Sequence, residues 1–166
     1  MLEQVAEDTP SRVRPGLYLG SIEALSHISA LGITHVLSLG PSPEQAGFEL
    51  HNVAHLRIDV LDTEEANLLQ FLDRCCAFVE SGLAAGSGAV LVHCHAGMSR
   101  SAAAVVAYLS RTEGLSVSEA LQSVRAQHAH ANPNYGFMQQ LELYQEMGCK
   151  LVPSNAAYKR FNLQQL

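Results

Sequence analysis

A short segment in the second half of the chain concentrates residue types that can handle a phosphoryl group. It reads VLVHCHAGMSRS from Val90 to Ser101, with Cys94 after an apolar run and Arg100 six residues later. A cysteine thiolate can attack phosphorus, and an arginine guanidinium can bind two phosphoryl oxygens at once. The spacing predicts a phosphate pocket in which Cys94 is the nucleophile and Ser101 assists the sulfur when it leaves.

The elements around this segment suit such a pocket. The run 89–92 is short and wholly apolar, which predicts a buried central strand, and the mostly apolar residues 101–110 predict a buried helix. The loop between them would present its backbone amides, and the helix its unpaired N–H groups, to a tetrahedral oxyanion. Both also favour the thiolate form of the cysteine. The predicted phosphate-binding residues are His95, Ala96, Gly97, Met98, Ser99 and Arg100.

The leaving group of such a reaction needs a proton donor. Asp62 lies in the polar stretch LDTEE that follows a candidate strand over residues 53–60, and it is our candidate general acid. Catalysis of this kind is worth about 10²–10⁴ in rate. Asp59 is the alternative, but strand alternation places it on or near the strand, whereas Asp62 lies on the polar loop. We therefore assign the role to Asp62.

The histidines have plainer interpretations. His93 precedes the nucleophile and is expected to support the loop as a buried, hydrogen-bonded side chain. A zinc site over residues 93–95 is disfavoured, because three consecutive residues do not easily converge on one tetrahedral ion and no CxxC pair is present. His128 and His130 are interpreted as surface-loop residues rather than metal ligands. No metal is predicted.

The four cysteines are too few for a disulfide framework in a chain of 166 residues. We expect a reducing compartment, the cytoplasm and/or the nucleus. Cys75 and Cys76 fall in a predicted helix and are interpreted as small apolar core residues. One alternative stays open, in which either of them forms a disulfide with Cys94 under oxidation and protects it.

The composition is that of a folded domain with an acidic surface. Hydrophobic residues make up 48% of the chain, and the formal net charge is −6. This charge argues against duplex nucleic acid or anionic lipid as the main partner. No apolar stretch is long enough to span a membrane, and the N-terminus lacks the basic start and apolar run of a signal peptide.

Strands and helices alternate along the chain. Strand patterns cover residues 16–20, 33–39, 53–60 and 89–92, and helical spacing covers 22–31, 68–83, 101–110, 117–128 and 135–147. Gly82 is predicted to begin the turn that ends the helix over 68–83. The sequence SVSE at 116–119 is a capping box that opens a helix. The order indicates an α/β fold.

Several of these segments together resemble the cysteine-dependent protein tyrosine phosphatases. HCHAGMSRS at 93–101 matches their HCxxGxxR[ST] signature, in the form typical of the dual-specificity branch. RPGLYLGS at 14–21 resembles their opening strand, IDVLDTEEAN at 58–67 their general-acid loop, and PNYGF at 133–137 a later helix. The matches keep their order along nearly the whole chain, so the resemblance is specific.

The resemblance implies a central, mostly parallel sheet flanked by helices, no cofactor, and phosphorylated protein substrates carrying phosphotyrosine and phosphoserine or phosphothreonine. It implies a catalytic domain over residues 14–148, after a flexible lead-in at 1–13 and before a helical tail at 149–166. Asn134 is expected to support the site. The segments YQEMG at 144–148 and SNAAYK at 154–159 look most like the atypical dual-specificity phosphatase with a C-terminal zinc-binding domain. Such a domain would need a longer chain, since no cysteine follows Cys149.

Two other functions compete with the enzyme. A phosphate-reading binding module with negligible turnover would keep the pocket without the chemistry, but such proteins usually lose one of Cys94, Arg100 and Asp62, and all three are present. A rhodanese-like sulfur transferase could share a cysteine loop, but it would not need the aspartate or the Arg100–Ser101 pair.

Overall fold

A computed structural model of the chain describes residues 9–84, 86 and 88–166. They contain one five-stranded sheet, formed by β1 (Ser11–Arg14), β2 (Leu17–Gly20), β3 (His35–Leu39), β4 (Ala54–Ile58) and β5 (Val90–His93). The strand order is β1-β2-β5-β3-β4. Strands β2, β5, β3 and β4 run parallel to one another, and β1 pairs antiparallel with β2 at the edge. The wholly buried β5 occupies the centre.

Six α-helices accompany the sheet within the described residues. They are α1 (Ile28–Leu31), α2 (Leu72–Ala84), α3 (Arg100–Glu113), α4 (Val117–Gln127), α5 (Tyr135–Glu146) and α6 (Ala156–Gln164). Short 3-10 helices cover Ile22–His27, Pro43–Ala46 and Leu69–Phe71. The predicted capping box is confirmed, because Ser116 and Glu119 exchange side-chain and backbone hydrogen bonds at the start of α4.

Helices cover both faces of the sheet. Alternation along β5 sends Val90 and Val92 into the larger core, which α2 to α5 cover. Leu91 faces the other way, into a smaller cluster beneath the segment from Ile22 to Leu31. The predicted fold class, a mostly parallel sheet flanked by helices, is therefore confirmed.

The beginning of the chain differs from prediction. The lead-in at 1–13 is wrong for residues 11–13, because Ser11–Arg14 pairs with β2 and Val13 is buried; residues 1–8 lie outside the described part. Four residues are too few to show a strand pattern. The predicted helix over 22–31 is present as a 3-10 helix followed by α1, and Gly32 ends it in the left-handed conformation.

Gly82 differs as well. The prediction that it helps to end a helix is wrong, because it lies inside α2 and is buried. A Cβ atom there would collide with Val90 of the central strand, so glycine lets α2 approach the sheet closely. At the other end of the chain, the predicted helical tail contains α6, and the buried Tyr158 belongs to the main core. No helix in the described part of the chain is long and apolar enough to cross a membrane.

Candidate active site

The nucleophile candidate lies where the central strand ends. β5 stops at His93, Cys94 follows, and α3 begins at Arg100. Cys94 is 3% exposed, and its Sγ lies 3.0 Å from Oγ of the fully buried Ser101. The buried strand, short loop and helix N-terminus expected from the sequence are thus present, and they bring the sulfur, a hydroxyl donor and the positive end of α3 together.

The loop after Cys94 is held from outside through its carbonyl groups. The carbonyl of His95 accepts a hydrogen bond from the Ile22 amide (3.0 Å), and that of Met98 accepts one from the Asn132 amide (2.7 Å). The carbonyl of Gly97 accepts one from Nε2 of His128 (2.7 Å). In a trans peptide the C=O and N–H groups point in opposite directions. Fixing these carbonyls outward therefore directs the following amides toward the interior of the loop, as an anion cradle requires.

Gly97 is the position in this loop where only glycine fits. Its φ is +71°, in the region that side chains with a Cβ avoid. A Cβ atom there would also lie 2.8–2.9 Å from backbone atoms of Gly20 and Ser21. The close approach brings the loop against the end of β2.

Arg100 is oriented by the ends of two other strands. Its NH1 donates to the carbonyl of Val60 (3.1 Å), just beyond β4. Gly40, just beyond β3, has a φ of +128°, which disfavours other residues there, and a Cβ atom at this position would displace the same NH1 from 2.7 Å away. The Nε group of Arg100 is buried and has no hydrogen-bond partner among the described residues. A buried, charged donor of this kind is costly unless it binds an acceptor, and a phosphoryl oxygen is a suitable one.

His93 heads a chain of hydrogen bonds behind the loop. Its Nδ1 lies 3.2 Å from the carbonyl of Cys94 and its Nε2 lies 2.6 Å from Oγ of Ser38, which in turn contacts Nε2 of His55 at 2.8 Å. One arrangement satisfies every contact: His55 donates to Ser38, Ser38 donates to His93, and His93 donates to the carbonyl. Burial lowers the pKa of His93 to about 4, and lowers that of His55, so both rings are neutral near pH 7.

Asp62 approaches the loop from the opposite side. Its Oδ1 accepts a hydrogen bond from the side-chain Nδ2 of Asn134 (3.0 Å). The backbone N–H of Asn134 donates to Oγ of Ser99 (2.9 Å). Asn134 also caps α5 by accepting from the Phe137 amide. Asp62, Cys94, Arg100 and Asn134 line one cavity of about 360 Å³. Asp59 lines no part of it and pairs with Arg57 instead (3.2 Å).

Comparisons with known proteins agree with this geometry. A family model described as "Dual specificity phosphatase, catalytic domain" matches residues 17–147. The chain belongs to the dual specificity phosphatase family. It is 42% identical over 158 residues to mouse dual specificity protein phosphatase 12, covering 93% of this chain and 46% of that protein. The chain thus spans about half the length of this curated relative.

Solved structures of dual specificity phosphatases share the fold. The crystal structure of human DUSP28 is similar with a TM-score of 0.75 and 38% identity, covering 83% of this chain and 93% of that one. A mouse putative dual specificity phosphatase complexed with zinc tungstate is similar with a TM-score of 0.75 and 35% identity, covering 83% and 87%. The family resemblance, and the phosphatase class of the domain, are therefore confirmed.

Sequence reasoning missed three residues that support this candidate site. The interpretation of His128 as a surface-loop residue overlooks its role, because it is half-buried, its Nδ1 accepts from the Ser11 hydroxyl (2.8 Å) and its Nε2 holds the loop. Gly40 directly follows a strand, and that position is the available signal for a close approach. Ser38 carries no signal, because it lies within an apolar strand pattern.

The other thiols lie within the core. Burial raises the pKa of both Cys75 and Cys76 to about 12, so they are protonated. All four cysteines are free. A disulfide from either residue to Cys94 stays a prediction. In the described part of the chain, no three His, Cys, Asp or Glu side chains are grouped to hold a metal ion.

Proposed function

We propose that the protein is a protein phosphatase that hydrolyses phosphotyrosine and phosphoserine or phosphothreonine through a cysteinyl-phosphate intermediate. One observation carries the proposal: Cys94, Arg100 and Asp62 line the same cavity. The proposed nucleophile, oxyanion-binding cation and proton donor therefore face one cavity. The mouse relative crystallised with zinc tungstate supports the anion site, since tungstate is a tetrahedral oxyanion like phosphate.

The first half of the proposed reaction forms the intermediate. The Cys94 thiolate attacks phosphorus, and the S–P bond forms as the P–O bond to the substrate side chain breaks. Asp62 gives its proton to the departing oxygen. The phosphoryl oxygens bind Arg100 and backbone amides of the loop, among which those of Ala96, Met98 and Ser99 follow anchored carbonyls and need no rearrangement as charge develops.

The second half regenerates the enzyme. Asp62, now a carboxylate, takes a proton from water, and the resulting hydroxide displaces the sulfur from phosphorus. The products are inorganic phosphate and the Cys94 thiolate, which Ser101 stabilises with a hydrogen bond from 3.0 Å. His93 holds the Cys94 carbonyl, and Asn134 positions the acid.

The deciding experiment measures hydrolysis of a small aryl phosphate by reduced wild-type protein and by Cys94→Ser. Wild-type turnover that disappears in the variant, together with acid-quenched trapping of ³²P on the wild-type cysteine, is expected. A binding module would bind phosphate and vanadate but form no phosphoenzyme. Absence of turnover in wild type would therefore overturn the proposal and favour that module.

We also propose phosphorylated proteins as partners, and the cytoplasm and/or the nucleus as location. Among the described residues that line the catalytic cavity, Arg100 is the sole Lys or Arg, which suits one phosphate better than a polyanionic nucleic acid or membrane surface.

The proposed location rests on the thiolate nucleophile, which needs a reducing compartment. A zinc-binding domain in a longer chain stays a proposal.

A further inference from the structure

A second cavity opens beside the nucleophile, away from the general acid. It measures about 190 Å³ and shares Cys94 and His95 with the catalytic cavity. Its other walls are mainly apolar, formed by Ile22, Leu39, Pro41 and Ala46. The mechanism proposed above makes no use of these four side chains.

The phosphorylated side chain itself is not the occupant. Its leaving oxygen must reach Asp62, which lines the catalytic cavity and not the second one. The two cavities meet at the nucleophile, however, and neighbouring Cα atoms of a peptide are only about 3.8 Å apart. A residue one or two positions from the phosphorylated residue can therefore place its side chain in the second cavity while the phosphoryl group lies over Cys94.

The charges around this cavity narrow the choice of occupant. Glu44 belongs to the same 3-10 helix as Ala46, and the hydrogen bond from Ser42 lowers its pKa and keeps it anionic. Among the described residues lining either cavity, no Lys or Arg besides Arg100 is present; the other titratable side chains are Asp62, His93, His95 and Cys94 itself. Glu44 does not itself line the cavity, and Arg57 and His55 lie close enough to act on its carboxylate. A second phosphate or an acidic neighbour would find no lysine or arginine in the described lining of the second cavity to pair with, whereas an apolar side chain would be favoured there because its apolar surface is removed from water.

We propose that this cavity, which we call the apolar pocket, binds an apolar side chain located one or two residues from the phosphorylated residue of the protein substrate. It selects singly phosphorylated sites with an apolar neighbour over acidic or doubly phosphorylated ones. This inference rests on the proposed function, because it assumes that a phosphorylated residue of a protein lies over Cys94.

The test uses binding, so it does not depend on turnover. Each peptide carries the non-hydrolysable difluoromethylene phosphonate analogue of phosphotyrosine in an alanine background. In the series, a single leucine replaces alanine in turn at position −2, −1, +1 or +2 relative to this analogue. For wild-type protein, leucine at one position should lower Kd roughly tenfold relative to alanine, the size expected for burying a few methylene groups. Glutamate at that position should raise Kd.

Two variants locate the gain in the apolar pocket. Ala46→Trp places a large ring in it from an exposed position, and Ile22→Ala removes a wall; both should abolish the leucine advantage. The matched control is Ala129→Trp, which changes an exposed alanine on a groove at the other side of the loop and should keep the advantage.

The outcomes separate the two proposals. No position at which leucine exceeds alanine by more than twofold, an advantage that survives in both Ala46→Trp and Ile22→Ala, or no measurable binding of any peptide would overturn the apolar pocket. The proposed function fails on a different result, the absence of aryl phosphate hydrolysis by wild type. Ala46→Trp should hydrolyse the aryl phosphate at the wild-type rate, because that substrate has no neighbouring residue.

Discussion

The two sides of the catalytic cavity are held in very different ways. The loop from Cys94 to Arg100 is fixed at several carbonyl groups by partners from other parts of the chain, and it packs against the end of β2. In the loop that carries Asp62 the side chains of residues 61–65 are exposed, although its backbone at Glu64 packs closely on Gly136 of α5. Among the described residues, one hydrogen bond, from Asn134, ties the Asp62 carboxylate to the rest of the site.

This contrast matches what each side must do. A cradle for an oxyanion works best when its donors are oriented before the charge develops. A proton donor must meet leaving oxygens on substrates of different length, so a less constrained position suits it. Variants on the cradle side should therefore impair oxyanion binding, whereas variants on the acid side should impair turnover and leave oxyanion binding intact.

The largest expected effect separates the two sides most clearly. Asp62→Ala should lower kcat for an aryl phosphate by about 10²–10⁴, because the leaving group loses its proton donor, while Ki for vanadate stays within twofold of wild type. Asp59→Ala is the matched control and should leave kcat nearly unchanged, since its carboxylate pairs with Arg57. An equal loss in both variants would refute the assignment of the acid.

The cradle side should also govern how stability depends on pH. His93 has a pKa of about 4 in the folded protein against 6.5 for the free side chain, so between these values the unfolded chain binds a proton that the folded one does not. The free energy of unfolding should fall by roughly 1.6 kcal/mol from pH 6.5 to pH 5 through this residue.

Thermal melts of wild type and His93→Gln over this pH range check the prediction. The variant should show a flatter pH dependence, whereas His51→Gln, at an exposed histidine, should keep the wild-type slope. Burial also lowers the pKa values of His55 and His128, and these two residues should account for the pH dependence of stability that remains in His93→Gln. Identical slopes in wild type and His93→Gln would contradict a neutral buried ring.

His128 allows a smaller test of the cradle. His128→Ala should raise Ki for vanadate and lower kcat/KM roughly tenfold, because loss of one hydrogen bond releases the Gly97 carbonyl. His128→Gln should recover part of the loss by donating from its amide. His130→Ala, at the exposed neighbouring ring, is the control. Weaker activity with unchanged vanadate inhibition in His128→Ala would argue against a positioning role.

The smallest effect is expected where the acid loop meets the cradle. Asn134→Ser keeps a side chain that can cap α5 but removes the amide donor to Asp62. We expect kcat to fall about threefold, as for one exposed hydrogen bond, with no change in vanadate inhibition and a melting temperature close to wild type. A large rise in Ki for vanadate would mean that the two sides of the cavity are coupled.

The local pattern of the sequence predicted the parts of the site that lie close together along the chain. The apolar run before Cys94 and the apolar helix after Arg100 show directly in the residues, so the strand, loop and helix could be placed. Partners far apart in sequence could not. His128 is 31 residues from Gly97, and Ser38 is 55 from His93; such pairs depend on strand order and on helix packing, which residue periodicity does not encode.

The outward anchoring of the Cys94–Arg100 loop has a consequence for the whole domain. Because the anchors come from the chain near Ile22, from His128 and from Asn132, the proposed oxyanion site is complete only when these distant segments are folded together. Any oxyanion that binds there is then linked to global folding. Vanadate or tungstate at ten times its Kd should add about 1.4 kcal/mol to the free energy of unfolding. The size of this stabilisation therefore measures whether the domain is correctly folded.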